Sequence, residues 1–170
     1  MSRVSSIPDC LKETGIFTGL DNRQLAQIAA ISLEREYEAG DVIFDEGSES
    51  DELYIVASGE VDIVLIHQQG SAHPSHEPLI LTTLRRCDSF GEIALVDQGI
   101  RSASAISGRP ETLVILIPRQ KLRELCNQDP ALGYRIMSNL AAGLASTLRA
   151  RTLDIQSRDW LLWARGRAMT

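Results

Sequence analysis

The chain is poor in cysteine and has no apolar run long enough to cross a bilayer. Its three cysteines, Cys10, Cys87 and Cys126, are odd in number and widely spaced, with no Cys-x-x-Cys pair. That argues against a disulfide framework or a zinc site and leaves reduced thiols of a cytoplasmic protein as the reading. No 18-residue apolar stretch and no secretory signal are present, so neither a membrane span nor export is expected. Positive charge is also short: 17 Lys and Arg stand against 23 Asp and Glu, for a net charge of −6. An acidic balance disfavours broad electrostatic attachment to nucleic acid. No internal repeat exists, and no catalytic triad or paired acid–base carboxylates can be singled out, so an enzyme is not expected. What remains is an ordinary globular composition, 44% hydrophobic and 24% charged over 170 residues, enough for one domain with its own core.

Helical patterning brackets a β-rich middle. Asp21 and Gln24 form a capping-box pattern, and Leu25, Ile28, Ala29 and Ser32 then share one helix face. From 33 to 117, short apolar runs are punctuated by glycine. Segments 53–57, 61–66, 79–84 and 112–117 read as strands, and short strands at this spacing predict a jelly roll or barrel. The polar stretch 67–78, with a Gly and two Pro, reads as an exposed hairpin loop. Pro118 suits a first helical position, with Leu122 and Leu125 pointing inward from a short helix. Asp129-Pro130 then opens a longer one. On it Ile136, Leu140, Leu144 and Leu148 recur at four-residue steps, with Met137 and Ala141 beside them. So long a stripe predicts packing on the chain's own barrel and, beyond that, a homodimer through the C-terminal helix. The tail 157–170, set apart from a domain over 1–156, carries Trp160 and Trp163. They read as a lid, a docking strip, or a cover for the barrel or dimer.

The most informative run is Phe90-Gly91-Glu92-Ile93-Ala94-Leu95, followed after a short linker by Arg101-Ser102-Ala103-Ser104-Ala105. Gly91 lets the backbone approach a ligand closely. The N–H groups opening the turn after it point at an anion. Arg101 adds a charge-assisted bond to a phosphate, and the small side chains after it leave room. Glu92 would repel a phosphate, so its partner is a hydroxyl. A phosphate and a hydroxyl a short distance apart suggest a nucleotide.

This run resembles the phosphate-binding cassette of cyclic-nucleotide-binding domains, of the kind found in catabolite activators and protein kinase A regulatory subunits. The framework upstream agrees: Gly40-Asp41-Val42-Ile43, Glu46-Gly47, Leu53-Tyr54-Ile55-Val56 and Gly59-Glu60-Val61 follow in the family's order. Two departures stand out. Ile100 replaces the proline that usually precedes the arginine, and Leu84-Arg85-Arg86-Cys87-Asp88 replaces a glycine-rich turn. The resemblance implies a mainly β double-stranded β-helix with flanking helices, an N-terminal helical segment and a long C-terminal helix. It implies that Arg101 neutralises the cyclic phosphate; the bland alternative is a surface ion pair, with Glu92 itself when the site is empty. Glu92 would take the ribose 2′-OH, and the N–H groups of Ile93, Ala94 and Ala103 would complete the phosphate shell. Ser102 would bond phosphate or a guanine edge, which leaves cAMP and cGMP both open, with cAMP favoured. Carry-over from the catabolite-activator pattern places Ile63, Thr82 and Leu84 along the base and Thr147 near the adenine amino group.

The implied function is a cytoplasmic cyclic-nucleotide sensor in signal transduction, regulating through its C-terminal helix and a protein partner not identified by the sequence. No further cofactor is implied. The residues after Leu148 are too few for the helix-turn-helix domain of transcription-factor relatives, so a stand-alone protein is expected, a fragment of a larger cAMP-regulated protein being the alternative. Competing readings are a nucleotide-free scaffold of the same fold, a DNA-binding regulator, and a cupin-type enzyme. The intact Glu92–Arg101 pair argues against the first, and charge against the second. Against the third, His67, His73 and His76 fall in one loop without metal-ligand spacing. No metal is expected.

Overall fold

Two runs, 53–56 and 114–117, are apolar at every position. A strand covered on both faces reads this way, without alternation. The computed structural model, which describes residues 7–65, 78–97 and 100–167, shows both faces in use. On strand β3 (Glu52–Ser58), Leu53 and Ile55 pack against helices, whereas Tyr54 and Val56 face the barrel interior. On β8 (Thr112–Pro118), Ile115 and Ile117 take the helical side, and Val114 and Leu116 the interior. The two strands pair antiparallel, with Tyr54 opposite Leu116 and Ile55 opposite Ile115.

Around this pair the described residues form two four-stranded antiparallel sheets. One has the order β1 (Leu33–Tyr37), β8, β3, β6 (Ser89–Phe90). The other runs β2 (Val42–Phe44), β7 (Ser104–Ser107), β4 (Val61–Leu65), β5 (Leu79–Leu84). Their inner faces meet in a cluster that includes Tyr37, Tyr54, Val61, Phe90 and Ala105. This is the jelly-roll-like β fold with flanking helices that the sequence predicts.

The helices cover the outer face of β3 and β8, where Leu53, Ile55, Ile115 and Ile117 lie. Helix α1 (Ile7–Glu13), a 3-10 turn (Gly15–Phe17) and α2 (Asn22–Ile31) come before the strands; α3 (Arg119–Gln128) and α4 (Pro130–Arg167) follow them. The Asp21 side chain accepts from Gln24 N–H at 2.8 Å and the Gln24 side chain accepts from Asp21 N–H at 3.1 Å, which completes the expected capping box. Pro118 is not the first residue of α3: β8 extends through it, paired with Glu52, and it serves as the N-cap. Its fixed φ suits both roles, and the strand pairing decides between them. Asp129 caps α4 as expected, its Oδ1 accepting from the N–H groups of Ala131 and Leu132, each at 3.1 Å. Ile136 and Leu140 are buried and Leu144 half-buried, but Leu148 is 69% exposed. The stripe therefore packs on its own domain only as far as Leu144. The helix continues through the expected boundary at 156 to Arg167. The stretch 67–78, expected as a hairpin loop, lies outside the described residues except for Pro78, as do the side chains of Trp160 and Trp163.

Gly59, between β3 and β4, has φ +84°, and a Cβ there would meet the Thr112 side chain and lie 2.8 Å from Thr112 Cα. Backbone on β8 cannot yield cheaply. Gly59→Ala is therefore expected to destabilise the fold by about 1–3 kcal/mol, read as a lower urea midpoint with an unchanged m-value.

Candidate functional site

The cassette is a tight turn set on rigid strands. β6 delivers Phe90 to the barrel interior, and Gly91 then takes a left-handed conformation (φ 72°) that caps the short 3-10 helix Glu92–Leu95. The turn closes with Val96 N–H and Asp97 N–H both donating to Ile93 O, at 3.0 and 2.8 Å. The other arm is pinned to the loop after β2. Gly47 N–H donates to Arg101 O at 2.8 Å, and Arg101 N–H donates to Ser48 O at 3.0 Å.

Arg101 is 6% exposed. Its Nη1 donates to Gly91 O at 3.0 Å, and its Nη2 to Ser50 Oγ at 2.7 Å and Glu52 O at 2.8 Å. The guanidinium lies 4.4 Å from the Phe44 ring centroid and 5.4 Å from that of Tyr54. Its Nε is buried without a hydrogen-bond partner. Among the described residues no carboxylate lies within ion-pairing distance of it, and the pairing with Glu92 is not formed. All its direct protein partners are neutral oxygens and aromatic faces. Around them, Glu52 Oε2 accepts from Ser50 Oγ at 2.7 Å and from Tyr54 Oη at 3.2 Å. Burial pushes the Tyr54 hydroxyl above its ordinary range, and the Glu52 carboxylate pushes the same way. The phenol therefore stays neutral.

Gly91 is required here for a reason the sequence does not state. A Cβ on it would sit 2.5 Å from Arg101 Nη1 and 3.2 Å from Tyr54 Cδ2. The space next to Gly91 is taken by the arginine.

The cassette opens onto a cavity of about 540 Å³, a size suited to a small organic ligand. Glu92, Ile93, Arg101, Ser102 and Ala103 line it with Gly91, as do Ile63, Thr82 and Leu84. Thr147 of α4 lines it too. Ala94 lies within the 3-10 turn. The sequence-predicted residues thus converge, although they come from β4, β5, the cassette and α4. Phe44, Ser89, Phe90, Asp97 and Ile100 also line the cavity, and sequence reasoning missed them. Phe44 and Phe90 carried a usable signal, since each directly flanks a motif already read as part of the framework. Ser50 and Glu52, which hold Arg101, carried none. Among the described residues there is no grouping of three or more His, Cys, Asp or Glu that could hold a metal, and no helix is long and apolar enough to cross a membrane.

A family model described as the cyclic nucleotide-binding domain matches residues 34–129, more than half of the chain. The chain belongs to the cyclic nucleotide-binding domain family. This domain is similar to the cyclic AMP receptor protein of Thermus thermophilus, 32% identical over 145 residues, covering 85% of this chain and 62% of that protein. It is likewise similar to the CRP-like cAMP-activated global transcriptional regulator of Mycobacterium tuberculosis, 29% identical over 139 residues, covering 82% of this chain and 59% of the relative. Among solved structures, the Thermus thermophilus catabolite activator protein superposes with a TM-score of 0.70 at 30% identity, over 84% of this chain and 62% of that one. The chain spans about three fifths of the length of these relatives. The family match defines a binding domain with regulatory relatives, and the cavity is where its cassette lies.

Proposed function

We propose that the chain is a cAMP sensor whose ligand supplies the anion that Arg101 lacks. One observation carries the reading: a guanidinium that is 6% exposed, has an unpartnered Nε and has no carboxylate partner among the described residues. A buried charge without a counter-charge is costly. A cyclic phosphate, a monoanion compact enough for the Ser102-Ala103 wall, offsets that cost. The N–H groups of Ile93, Ala94 and Ala103 would complete the phosphate shell, and Ser102 would add a hydroxyl. Glu92 would accept from the ribose 2′-OH. The base would lie along Ile63, Thr82 and Leu84, with Thr147 at its edge favouring the adenine amino group and so cAMP over cGMP.

Signalling would run through α4, because one helix carries both Thr147, which lines the cavity, and the exposed Leu148 next to it. A ligand that touches Thr147 in one helix position and not in another shifts the balance between the two. A second copy of the chain is the proposed cover for Leu148, within a cytoplasmic regulator that acts on a partner protein and contacts neither membrane nor nucleic acid. Leu148→Glu is expected to convert the dimer to a monomer in sedimentation velocity. A native chain that is already monomeric at all concentrations would end that part of the reading.

The test of ligand class is the unfolding temperature of the reduced protein against cAMP, cGMP and 5′-AMP. A ligand that binds only the folded state raises it with concentration. The expected order is a large rise with cAMP, a smaller one with cGMP and none with 5′-AMP. Equal response to all three would reject a cyclic-phosphate site.

A further inference from the structure

Two thiols outside the cavity lie against each other. Cys10 on α1 is 1% exposed; Cys87 sits half-buried in the turn between β5 and β6. Both are free, and their Sγ atoms are 3.4 Å apart although 77 residues separate them in sequence. Cys10 Sγ also donates to Val56 O at 3.7 Å, and Cys87 Sγ to Glu13 Oε2 at 3.6 Å. Glu13 is itself ion-paired with Arg86. Cys87 is one of two described non-glycine residues with positive φ, at 68°. Its N–H donates to Val56 O at 2.8 Å, while Val56 N–H donates to Asp88 O at 3.0 Å. The turn is therefore held at its backbone, and it leads directly into β6 and the cassette. A disulfide needs an S–S distance of about 2.05 Å, so the sulfurs have roughly 1.4 Å to close from their 3.4 Å separation.

We propose that Cys10 and Cys87 form an oxidation site at which a hydroperoxide converts the dithiol to an intramolecular disulfide, stapling α1 to the turn that leads into the cassette. The more exposed Cys87 reacts first. Its sulfur attacks the peroxide, the O–O bond breaks, one water or alcohol leaves, and Cys87 becomes a sulfenic acid. Cys10 sulfur then attacks Cys87 sulfur; the S–S bond forms, the S–O bond breaks, and the hydroxide departs as water with the Cys10 proton. Two thiols are oxidised by two electrons and the peroxide is reduced. Burial pushes both thiols above the ordinary range, Cys87 to about 12, so the first step is slow near neutrality. Proximity makes the second step fast once it has happened. The staple closes a long chain loop, which restricts the unfolded state and raises the unfolding temperature. This inference is independent of the nucleotide reading.

The test is a non-reducing peptide map of the full chain after hydrogen peroxide treatment and alkylation of remaining thiols. The expected product is a chain free of intermolecular disulfides and lighter by two hydrogens, with a Cys10–Cys87 cross-linked peptide and a higher unfolding temperature, reversed by dithiothreitol. Cys87→Ser, at a half-exposed position, should fold normally and give none of this, as should Cys10→Ala. Cys126→Ser should keep all of it. Cys87 found as sulfinic acid without the cross-linked peptide, or no mass change under conditions that oxidise free thiols, would overturn the proposal.

Discussion

Arg101→Ala is expected to lower affinity for cAMP by a hundredfold or more. A charge-assisted hydrogen bond contributes about 1.5–3 kcal/mol, two of them to one phosphate about 3–6 kcal/mol, and each 1.4 kcal/mol is tenfold in affinity. Arg101→Lys keeps the charge but loses the planar fork that reaches Gly91 O, Ser50 Oγ and Glu52 O together. It should recover only part of the loss. Glu92→Ala removes a hydroxyl acceptor and leaves the phosphate shell in place, so a loss of about tenfold is expected. Titration calorimetry on variants whose circular dichroism matches the native chain reads all three. Arg101→Ala binding as tightly as the native protein would remove the phosphate assignment.

The second large effect is expected from Gly91→Ala. A methyl group placed 2.5 Å from Arg101 Nη1 cannot coexist with the bond from that nitrogen to Gly91 O. The left-handed backbone adds strain of about 1 kcal/mol or more for a residue with a Cβ. The guanidinium is then displaced toward the cavity, and both stability and binding suffer. Cyclic-nucleotide affinity should fall by at least tenfold, and thermal unfolding should move down by several degrees. A variant that lost stability but kept native affinity would show that the position of Arg101 is not set by this contact.

Both predictions concern residues that one contiguous run made legible. The cassette is readable because its chemistry is local: a glycine, a carboxylate, an arginine and small residues lie within a few positions of one another. The strands β3 and β8 were legible because burial on both faces leaves unbroken apolar runs. β1 was harder, since among Leu33–Tyr37 only Tyr37 is buried, so no alternation marks it. β6 has two residues and cannot show a period at all. The shell around Arg101 was illegible for a different reason. Ser50 and Glu52 lie about fifty positions away in sequence and read as a polar loop. The backbone bonds that tie Arg101 to Gly47 and Ser48, beside the pairing of β2 with β7, bring them to the guanidinium. The contact of Cys10 with Cys87 is hidden in the same way, since thiols 77 residues apart carry no spacing signature. The end of the stripe on α4 was half legible: its period is plain, but where self-packing stops, between Leu144 and Leu148, depends on how far the 3-10 turn Gly15–Phe17 and α3, against which α4 packs, extend along it.

The central claim is that a cyclic phosphate completes the coordination of Arg101. Isothermal titration of the reduced native chain with cAMP tests it most directly. Saturable heat at one site per chain is expected, abolished over the same concentrations by Arg101→Ala. No heat from the native chain at any concentration would contradict it, as would a native-like isotherm from the variant.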